Sequence, residues 1–295
     1  MPQTTYLHEG SLSESDRARY AADGFLFPIR VFPEDEARAL RGELEALEAE
    51  WRDAGLPRPL NQYRRVNSHC VIPLAARMAM DPRVLDVVEG ILGPDLMIWS
   101  AEFFIKEPRT RQIVSMHQDL TYWGLGATDH QVTAWIALSP ANRASGCMDF
   151  VAGSHRNPIL PHRDTFAEDN LLSRGQEIEV EVAEVDKVAI ELQPGEMSLH
   201  HGLTIHGSGP NVSDDRRIGL AIRYVSPEAR QEIAARDYVI LARGADRVGS
   251  FTHVAPPARP FEPWALELYE EILAEQNAAL AQGAARELSY YSARR

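Results

Sequence analysis

Two histidines and one aspartate form the set of residues with the clearest chemical meaning in this sequence. His117 and Asp119 lie two positions apart in or just after a strand-like run, so both side chains can leave the strand on the same face. His206 follows a later strand-like run. Two imidazoles and one carboxylate on one face of a metal ion leave the opposite face open, which is the arrangement of iron(II) sites that activate O₂. We therefore predict His117, Asp119 and His206 as metal ligands and as the catalytic centre.

Arg217 and Ser208 strengthen this interpretation, because a His-x-Asp pair alone is common and fits an exposed strand equally well. Arg217 lies eleven residues after His206 and opens another strand-like run. A co-substrate with a distal carboxylate needs a permanently charged, bidentate partner, and arginine meets this need better than lysine. Ser208 could donate a second hydrogen bond to the same carboxylate. The alternative for an arginine at this point is a surface position in the turn 214–217, and that description suits Arg216.

Helical periodicity dominates residues 1–95. This part of the chain precedes the strand-like runs that hold the candidate ligands. One predicted helix follows a Ser-x-Ser-Asp stretch, the second has Pro33 at its start and acidic residues in its first turn, and the third opens at Asp81-Pro82 and stops before Gly93-Pro94. Residues 24–29 predict a strand, and residues 55–68 predict a loop. The three predicted helices are residues 12–22, 33–51 and 82–92.

From Leu96 onward the apolar residues alternate with a period of two, which is typical of strands. Gly, Pro, Asn and Asp separate these short runs, so an antiparallel sandwich or barrel is predicted. The strand-like runs are residues 96–106, 112–118, 132–138, 147–152, 188–192, 197–200 and 218–225.

Domain organisation is predicted to be simple, because the chain has no internal repeat and no Gly/Ser-rich linker. We expect one domain over residues 1–295, with a helical part at 1–95, a β core at about 96–226 and a C-terminal helical segment at 227–295. A long polar insertion at 156–186 predicts a loop or lid with some helix, and residues 263–282 predict a helix.

Composition excludes several classes of protein. The formal net charge of -13 and the absence of a long Lys/Arg run argue against nucleic-acid binding. The apolar runs are too short to span a bilayer, and the N-terminus has no secretory apolar region. Cys70 and Cys147 do not make a disulfide framework and fit small buried apolar residues. We expect a cytoplasmic protein with a small-molecule substrate and without nucleic-acid or membrane partners; the sequence leaves the oligomeric state open.

Several motifs together resemble the phytanoyl-CoA dioxygenase family, which includes ectoine hydroxylase. The resemblance covers nearly the whole chain up to about residue 226. The matching segments are DGF at 23–25, LGP at 92–94, HQDLTYW at 117–123, GCM at 146–148, GSH at 153–155 and HGSGPN at 206–211, followed by Arg217.

The family implies a double-stranded β-helix, a cupin-like jelly roll, with Fe(II) and with 2-oxoglutarate and O₂ as co-substrates. It places the metal on His117, Asp119 and His206. It places 2-oxoglutarate on Arg217, Ser208 and Trp135, and on a basic residue of the helix-to-barrel segment that we match to Arg65. Related halogenases lack the carboxylate ligand and bind chloride in its place. An intact Asp119 therefore implies hydroxylation.

Aromatic residues and further histidines are candidates for the substrate pocket. Tyr122, Trp123 and Trp99 are predicted pocket walls, because aromatic side chains near a metal ligand can shield the reaction and pack on substrate. Ordinary barrel core is the alternative for all three. For His201 and its neighbour His200, the pocket wall and the packed barrel interior are equal alternatives. A zinc site on His201-x₄-His206 lacks thiol partners.

The function that these residues predict is hydroxylation of a small organic metabolite, with 2-oxoglutarate converted to succinate and CO₂. An acyl-CoA hydroxylase of the same family is an alternative, which the acidic composition disfavours. A cupin-type isomerase or lyase that works without 2-oxoglutarate is a second alternative, and Arg217 argues against it. A pseudoenzyme would be expected to have lost a ligand, and the sequence retains all three.

Overall fold

Strands outnumber helices in the computed structural model, which describes residues 8, 10–167, 169–172 and 175–280 of the chain. The predicted mainly-β architecture with a helical jacket is confirmed. The helices begin as the sequence predicts: Ser13 caps the first one by accepting a hydrogen bond from the Asp16 amide, and Asp81 caps the fifth through the Arg83 amide. The helices are α1 (Glu14–Asp23), α2 (Glu34–Trp51), α3 (Leu60–Arg65), α4 (Pro73–Ala79), α5 (Pro82–Leu92) and α6 (Pro263–Leu280).

Two antiparallel sheets carry most of the strands in the described residues. The larger sheet has the order β1-β9-β4-β11-β2-β12-β13, antiparallel except for its last pair, and the smaller one has the order β3-β10-β5-β8. The strands are β1 (Phe25–Arg30), β2 (Leu96–Lys106), β3 (Val114–His117), β4 (Gln131–Ala137), β5 (Met148–Val151), β6 (His162–Asp164), β7 (Gln176–Ile178), β8 (Lys187–Ile190), β9 (Glu196–His201), β10 (His206–Ser208), β11 (Arg217–Val225), β12 (Tyr238–Arg243) and β13 (Thr252–His253).

Strand β11 lies in the middle of the larger sheet and shows how each face of that sheet is used. Ile218, Leu220, Ile222 and Tyr224 belong to the main apolar cluster, which also contains Leu44 of α2, Val84 of α5 and Tyr269 of α6. The alternate residues Arg217, Ala221 and Arg223 line a cavity together with residues of the smaller sheet. Because side chains alternate along a strand, one face of the sheet packs on the helices and the other faces the cavity.

The insertion between β5 and β8 differs from its prediction. Its described residues form a short hairpin of β6 and β7 and two 3₁₀ turns, at Ser154–Arg156 and Glu184–Asp186, with no α-helix among them. Gln118 anchors one end of this insertion, because its side-chain amide donates to the Pro158 oxygen and accepts from the Leu160 amide at 2.8 Å. The same amide donates to the Leu203 oxygen at 3.0 Å. The insertion is therefore attached directly to the segment between His117 and Asp119.

Two further predictions about element boundaries need correction, and one is confirmed. The predicted loop at 55–68 contains the short helix α3, which begins after Pro59. The strand predicted at residues 24–29 is present as β1, which joins the larger sheet through pairing with β9. The C-terminal segment is not all helical, because β12 and β13 lie beyond residue 226 and β12 pairs with β2.

Cys70 and Cys147 are buried and unpaired, as expected. None of the described helices combines the length and apolarity that a bilayer span requires.

Gly195 connects strands β1, β4 and β9 of the larger sheet through backbone hydrogen bonds. Its replacement therefore gives a testable prediction for stability. Its φ is +85°, and a Cβ at this position would lie 2.2 Å from the Phe32 carbonyl oxygen. Gly195→Ala is therefore expected to lower the free energy of unfolding by about 1–3 kcal/mol. Gly42 is the matched control, since it is exposed in α2 and nothing lies within 4 Å of its added Cβ. Gly42→Ala should raise the unfolding free energy by roughly 0.5–1 kcal/mol. Urea denaturation measures both unfolding free energies. Equal changes in the two variants would contradict the constraint on Gly195.

Candidate metal centre

His117 and Asp119 meet at the end of β3. His117 is the last residue of the strand, the backbone remains extended at Gln118, and Asp119 begins a 3₁₀ turn. This extended backbone preserves the same-face relation predicted for residues two apart. The Asp119 Oδ1 atom lies 3.3 Å from His117 Nε2.

His206 reaches the same point from the neighbouring strand. Strand β10 pairs with β3 on one side and β5 on the other, and His206 stands opposite His117 in the first pairing. The two imidazole rings have centroids 4.2 Å apart. Potential ligand atoms of His117, Asp119 and His206 all lie within 4.8 Å of one another, and all three residues are buried. The structure thus brings the three predicted ligands together, and their spacing fits a single metal ion.

Backbone carbonyls fix the orientation of both imidazoles. The Nδ1 atom of His117 lies 2.9 Å from the Ser115 oxygen, and Nδ1 of His206 lies 2.9 Å from the Thr204 oxygen. A carbonyl accepts only, so each Nδ1 donates, and in a neutral ring each Nε2 keeps its lone pair for a metal. Burial lowers the pKa of His206 well below its usual range, which favours the neutral form that a metal ligand requires. This donor set suits iron(II).

A cavity adjoins the three side chains and contains about 470 Å³ of space between protein atoms, part of it open to solvent. Both sheets contribute to its wall, and Leu172 of the insertion closes one side. Its lining includes Phe104, Thr133, Trp135, Met148, Ser208 and Arg217 in addition to the triad. Arg217, Ser208 and Trp135, which were predicted to contact a co-substrate, therefore share one cavity with the metal ligands.

Arg217 is buried without a counter-ion. Its side chain is 1% exposed, and its one hydrogen bond among the described residues is donated by Nη1 to the Gly146 oxygen at 3.0 Å. The guanidinium carbon lies 5.3 Å from the centre of the Trp135 ring. Burial lowers the pKa of Arg217 to about 10, so the side chain stays charged at neutral pH. No carboxylate in the described part of the chain lies within ion-pair distance of it.

Arg216, one position earlier, points away from the cavity. It was expected to be a surface arginine, but its side chain is only 17% exposed. It pairs with Glu48 of α2 at 2.8 Å and with Glu107 at 3.1 Å. Arg216 connects β11 to the helical layer. Side chains alternate along a strand, so Arg216 and Arg217 point to opposite faces.

Arg65 lies behind the cavity wall. It is buried, stacks at 4.1 Å on the Phe104 ring that faces the cavity, and donates to the Leu171 oxygen at 2.8 Å. The structure therefore places this predicted co-substrate residue next to the cavity, where it fixes Phe104 and the insertion rather than lining the space.

Three predicted pocket aromatics lie outside the cavity wall. Trp99 and Trp123 contact each other with ring centroids 5.3 Å apart, and Trp99 Nε1 donates to buried Asp237 at 2.7 Å. Tyr122 packs against His162. Trp123 is still relevant to the site, because it covers the guanidinium of Arg223 at 4.7 Å, and Arg223 does line the cavity.

Strand parity separates the two neighbouring histidines of β9. His200 lines the cavity, with Nε2 lying 3.5 Å from Asp119 Oδ2. His201, the predicted pocket residue, points to the other side. Its Nε2 contacts Asp129 at 3.0 Å, and its Nδ1 accepts from the Leu203 amide. The sequence could not assign the inward residue of this pair, because both histidines are buried in the same strand.

Lys106 and Arg223 are two charged residues near the cavity that sequence reasoning missed. Lys106 ends β2 on the same side as Phe104, and Arg223 pairs with Glu102 at 3.0 Å. A signal existed for Lys106, since a lysine at the inward parity of a long apolar strand is unusual.

Comparison with known proteins gives matches over most of the chain. The sequence model of the family described as "Phytanoyl-CoA dioxygenase (PhyH)" matches residues 20–219. A "Probable phytanoyl-CoA dioxygenase" of Caenorhabditis elegans is 24% identical over 250 residues, which are 76% of this chain and 78% of that protein.

Solved structures give a similar result. The non-heme monooxygenase ThoJ, in its apo form, superimposes with a TM-score of 0.80 at 31% identity, covering 90% of this chain and 97% of the other. "CytC3 with Fe(II) and alpha-ketoglutarate" has a TM-score of 0.65 at 21% identity, with 86% and 97% coverage, and supports the fold alone.

Removing any one of the three ligand side chains should abolish stoichiometric metal binding and leave the fold intact. The expected loss of affinity for Asp119→Ala, His117→Ala or His206→Ala exceeds the roughly 10- to 100-fold caused by removing a partner outside the ligand set. Iron content after anaerobic loading and dialysis measures this loss. His201→Ala is the matched control, because it removes a buried histidine that faces away from the cavity and should keep one equivalent of iron. Full iron content in Asp119→Ala would disprove the assignment.

Proposed function

The chain belongs to the phytanoyl-CoA dioxygenase family, and from this premise we propose that it hydroxylates a small organic metabolite with iron bound by His117, Asp119 and His206. Membership of this family makes the chain an iron- and 2-oxoglutarate-dependent oxygenase. Hydroxylation, a small substrate and the roles of individual residues go beyond family membership.

The observation that supports the proposal best is the buried, unpaired Arg217 beside the metal ligands. A buried cation without a partner is costly, so a site of this kind is completed by an anion. The distal carboxylate of 2-oxoglutarate supplies that anion and matches the guanidinium geometry. Arg217 and the triad face the same cavity. One molecule can therefore contact Arg217 at one end and the metal at the other.

Each residue of the site has a defined task in this proposal. The bound iron, together with 2-oxoglutarate and O₂, supplies the oxidising power. The triad holds the metal on one face, and the carbonyls of Ser115 and Thr204 keep both imidazoles in the ligating orientation. Trp135, Phe104 and Leu172 give part of the wall an apolar surface, which limits the access of water to the reacting groups and so limits side reactions.

The cavity supports a small substrate. Its space of about 470 Å³, part of which is open to solvent, must hold 2-oxoglutarate as well as the reacting part of the substrate. The same site argues against a cupin-type isomerase or lyase that works without 2-oxoglutarate, because such an enzyme leaves Arg217 without a partner.

Arg217→Ala should raise the 2-oxoglutarate requirement by about a hundredfold, corresponding to the roughly 3 kcal/mol lost with one partner of a sequestered ion pair. The measurement is succinate formation by the iron-loaded enzyme under air at varied 2-oxoglutarate concentration. Arg217→Lys should recover part of the loss, since one ammonium cannot reproduce the planar fork.

Arg216→Ala is the matched control for this experiment. It should leave the 2-oxoglutarate requirement unchanged and lower the melting temperature, because Arg216 joins β11 to Glu48 of the helical layer. Equal 2-oxoglutarate requirements in the parent and in Arg217→Ala would disprove the assigned co-substrate site.

Hydroxylation predicts a specific product in the presence of halide. Because the Asp119 carboxylate fills the third protein position at the metal, chloride or bromide has no vacated ligand site to occupy. Turnover of a substrate in excess halide should therefore yield oxygenated product alone, as measured by mass spectrometry. Detection of a halogenated product from the parent enzyme would contradict this proposal.

A further inference from the structure

Lys106 is a fully buried lysine beside two residues of the cavity lining, Ser208 and Arg217. It is the last residue of β2, it is 0% exposed, and it stands opposite Arg217 in the pairing of β2 with β11. No carboxylate in the described ranges lies within ion-pair distance of its ammonium group. A charged group in this position is costly unless each of its donors has a partner.

Three oxygen atoms surround the Lys106 ammonium group. Its Nζ atom lies 2.7 Å from Ser208 Oγ and 3.3 Å from the Ser208 carbonyl oxygen, and it also contacts the Gly209 carbonyl oxygen. The two carbonyls are acceptors only, and an ammonium is a donor only. Ser208 Oγ must therefore accept its hydrogen bond from a charged Lys106.

When Lys106 is an ammonium group, the hydroxyl hydrogen of Ser208 is consequently directed away from Lys106. Among the described residues no acceptor for this hydrogen is found, and Ser208 lines the cavity together with Arg217. We propose that Lys106 is a positioning residue: by donating to Ser208 Oγ it turns the Ser208 hydroxyl toward the co-substrate carboxylate that Arg217 holds. This inference rests on the proposed function, since it requires a carboxylate at Arg217.

The charges around Lys106 couple its protonation to an anion in the cavity. Burial first, and then the neighbouring charges of Arg217 and Arg65, lower the pKa of Lys106 to about 6, while Cys147 and Asp149 oppose this shift. A neutral amine would accept from Ser208 and reverse the hydrogen bond. A carboxylate at Arg217 favours the ammonium form. The bound carboxylate and the outward Ser208 hydroxyl therefore stabilise each other.

The chain has two lysines, and the second is a suitable control. Lys187 begins β8 at the edge of the smaller sheet, where it forms an ion pair with exposed Glu184. It has the same functional group as Lys106, and it lies outside the cavity lining.

Calorimetric titration of the Zn(II)-loaded protein with 2-oxoglutarate tests the proposal without turnover. Lys106→Met and Ser208→Ala should each weaken 2-oxoglutarate binding roughly tenfold, as expected for loss of a hydrogen bond to a charged group. The double variant should be weaker than either single variant by less than about twofold, because both changes remove the same interaction. Lys187→Met should bind like the parent.

Two results of this titration would overturn the proposal. One is unchanged binding by Lys106→Met, and the other is a double variant whose loss equals the product of the single losses. Arg217→Ala, titrated in parallel, distinguishes failure of the proposed 2-oxoglutarate site from failure of the role proposed for Lys106. Failure of the parent to bind 2-oxoglutarate rejects both the proposed function and this inference. Weak binding by Arg217→Ala with parent-like binding by Lys106→Met rejects this inference alone.

A measurement on the parent sequence covers the case in which Lys106→Met does not fold. Protein labelled with ¹³C at the lysine ε-carbon should give two NMR signals, and Lys187→Met identifies which signal belongs to Lys106. Addition of 2-oxoglutarate to the Zn(II)-loaded protein should shift the Lys106 signal and leave the Lys187 signal in place. An unmoved Lys106 signal at saturating 2-oxoglutarate would refute the coupling.

Discussion

The Arg217 guanidinium is enclosed between the two sheets with one backbone carbonyl, the Gly146 oxygen, as its hydrogen-bond acceptor. The burial of Arg217 limits the space and the hydrogen-bond partners of the residues around it. Gly219 has no room for a side chain, since its added Cβ would lie 1.9 Å from the Trp135 ring that covers the arginine. Lys106, which stands opposite Arg217 in the pairing of β2 with β11, turns to the oxygens of Ser208 and Gly209. Two basic side chains therefore lie next to each other where these strands pair. In the proposed function, the distal carboxylate of 2-oxoglutarate binds at this point.

The proposed metal ligands are positioned by strand pairing more than by their own side-chain contacts. β10 is only three residues long, but it lies between β3 and β5, and this pairing fixes the position of His206 opposite His117. Backbone carbonyls two residues before each histidine then set the ring orientation. Asp119 follows from the extended backbone at Gln118. The coordinating atoms are therefore positioned by main-chain geometry, which is stiffer than a set of flexible side chains.

Sequence reasoning predicted those parts of the structure that follow from local patterns. Helix starts at Ser13 and Asp81 and the alternation along β11 depend on nearby residues, and the triad follows from its spacing and family motif. The inward residue of the pair His200-His201 depends on the pairing of β9 with β4 and β1, which the sequence does not display. Trp99 was misassigned for a similar reason, because its partner Asp237 is distant in the chain. Lys106 was missed because the side chain to which it donates a hydrogen bond, Ser208, lies 102 positions later in the chain.

The attachment of the insertion to Gln118 has an evolutionary consequence. One side chain, located between two metal ligands, holds Pro158, Leu160 and Leu203 at fixed positions. The hairpin of β6 and β7 pairs with neither large sheet, but His162 of β6 accepts a hydrogen bond from the Gln118 amide at 3.1 Å. Sequence changes in the hairpin are therefore coupled to the segment that carries His117 and Asp119. A lineage that remodels this insertion must preserve its contacts with Gln118 to keep those two side chains in place.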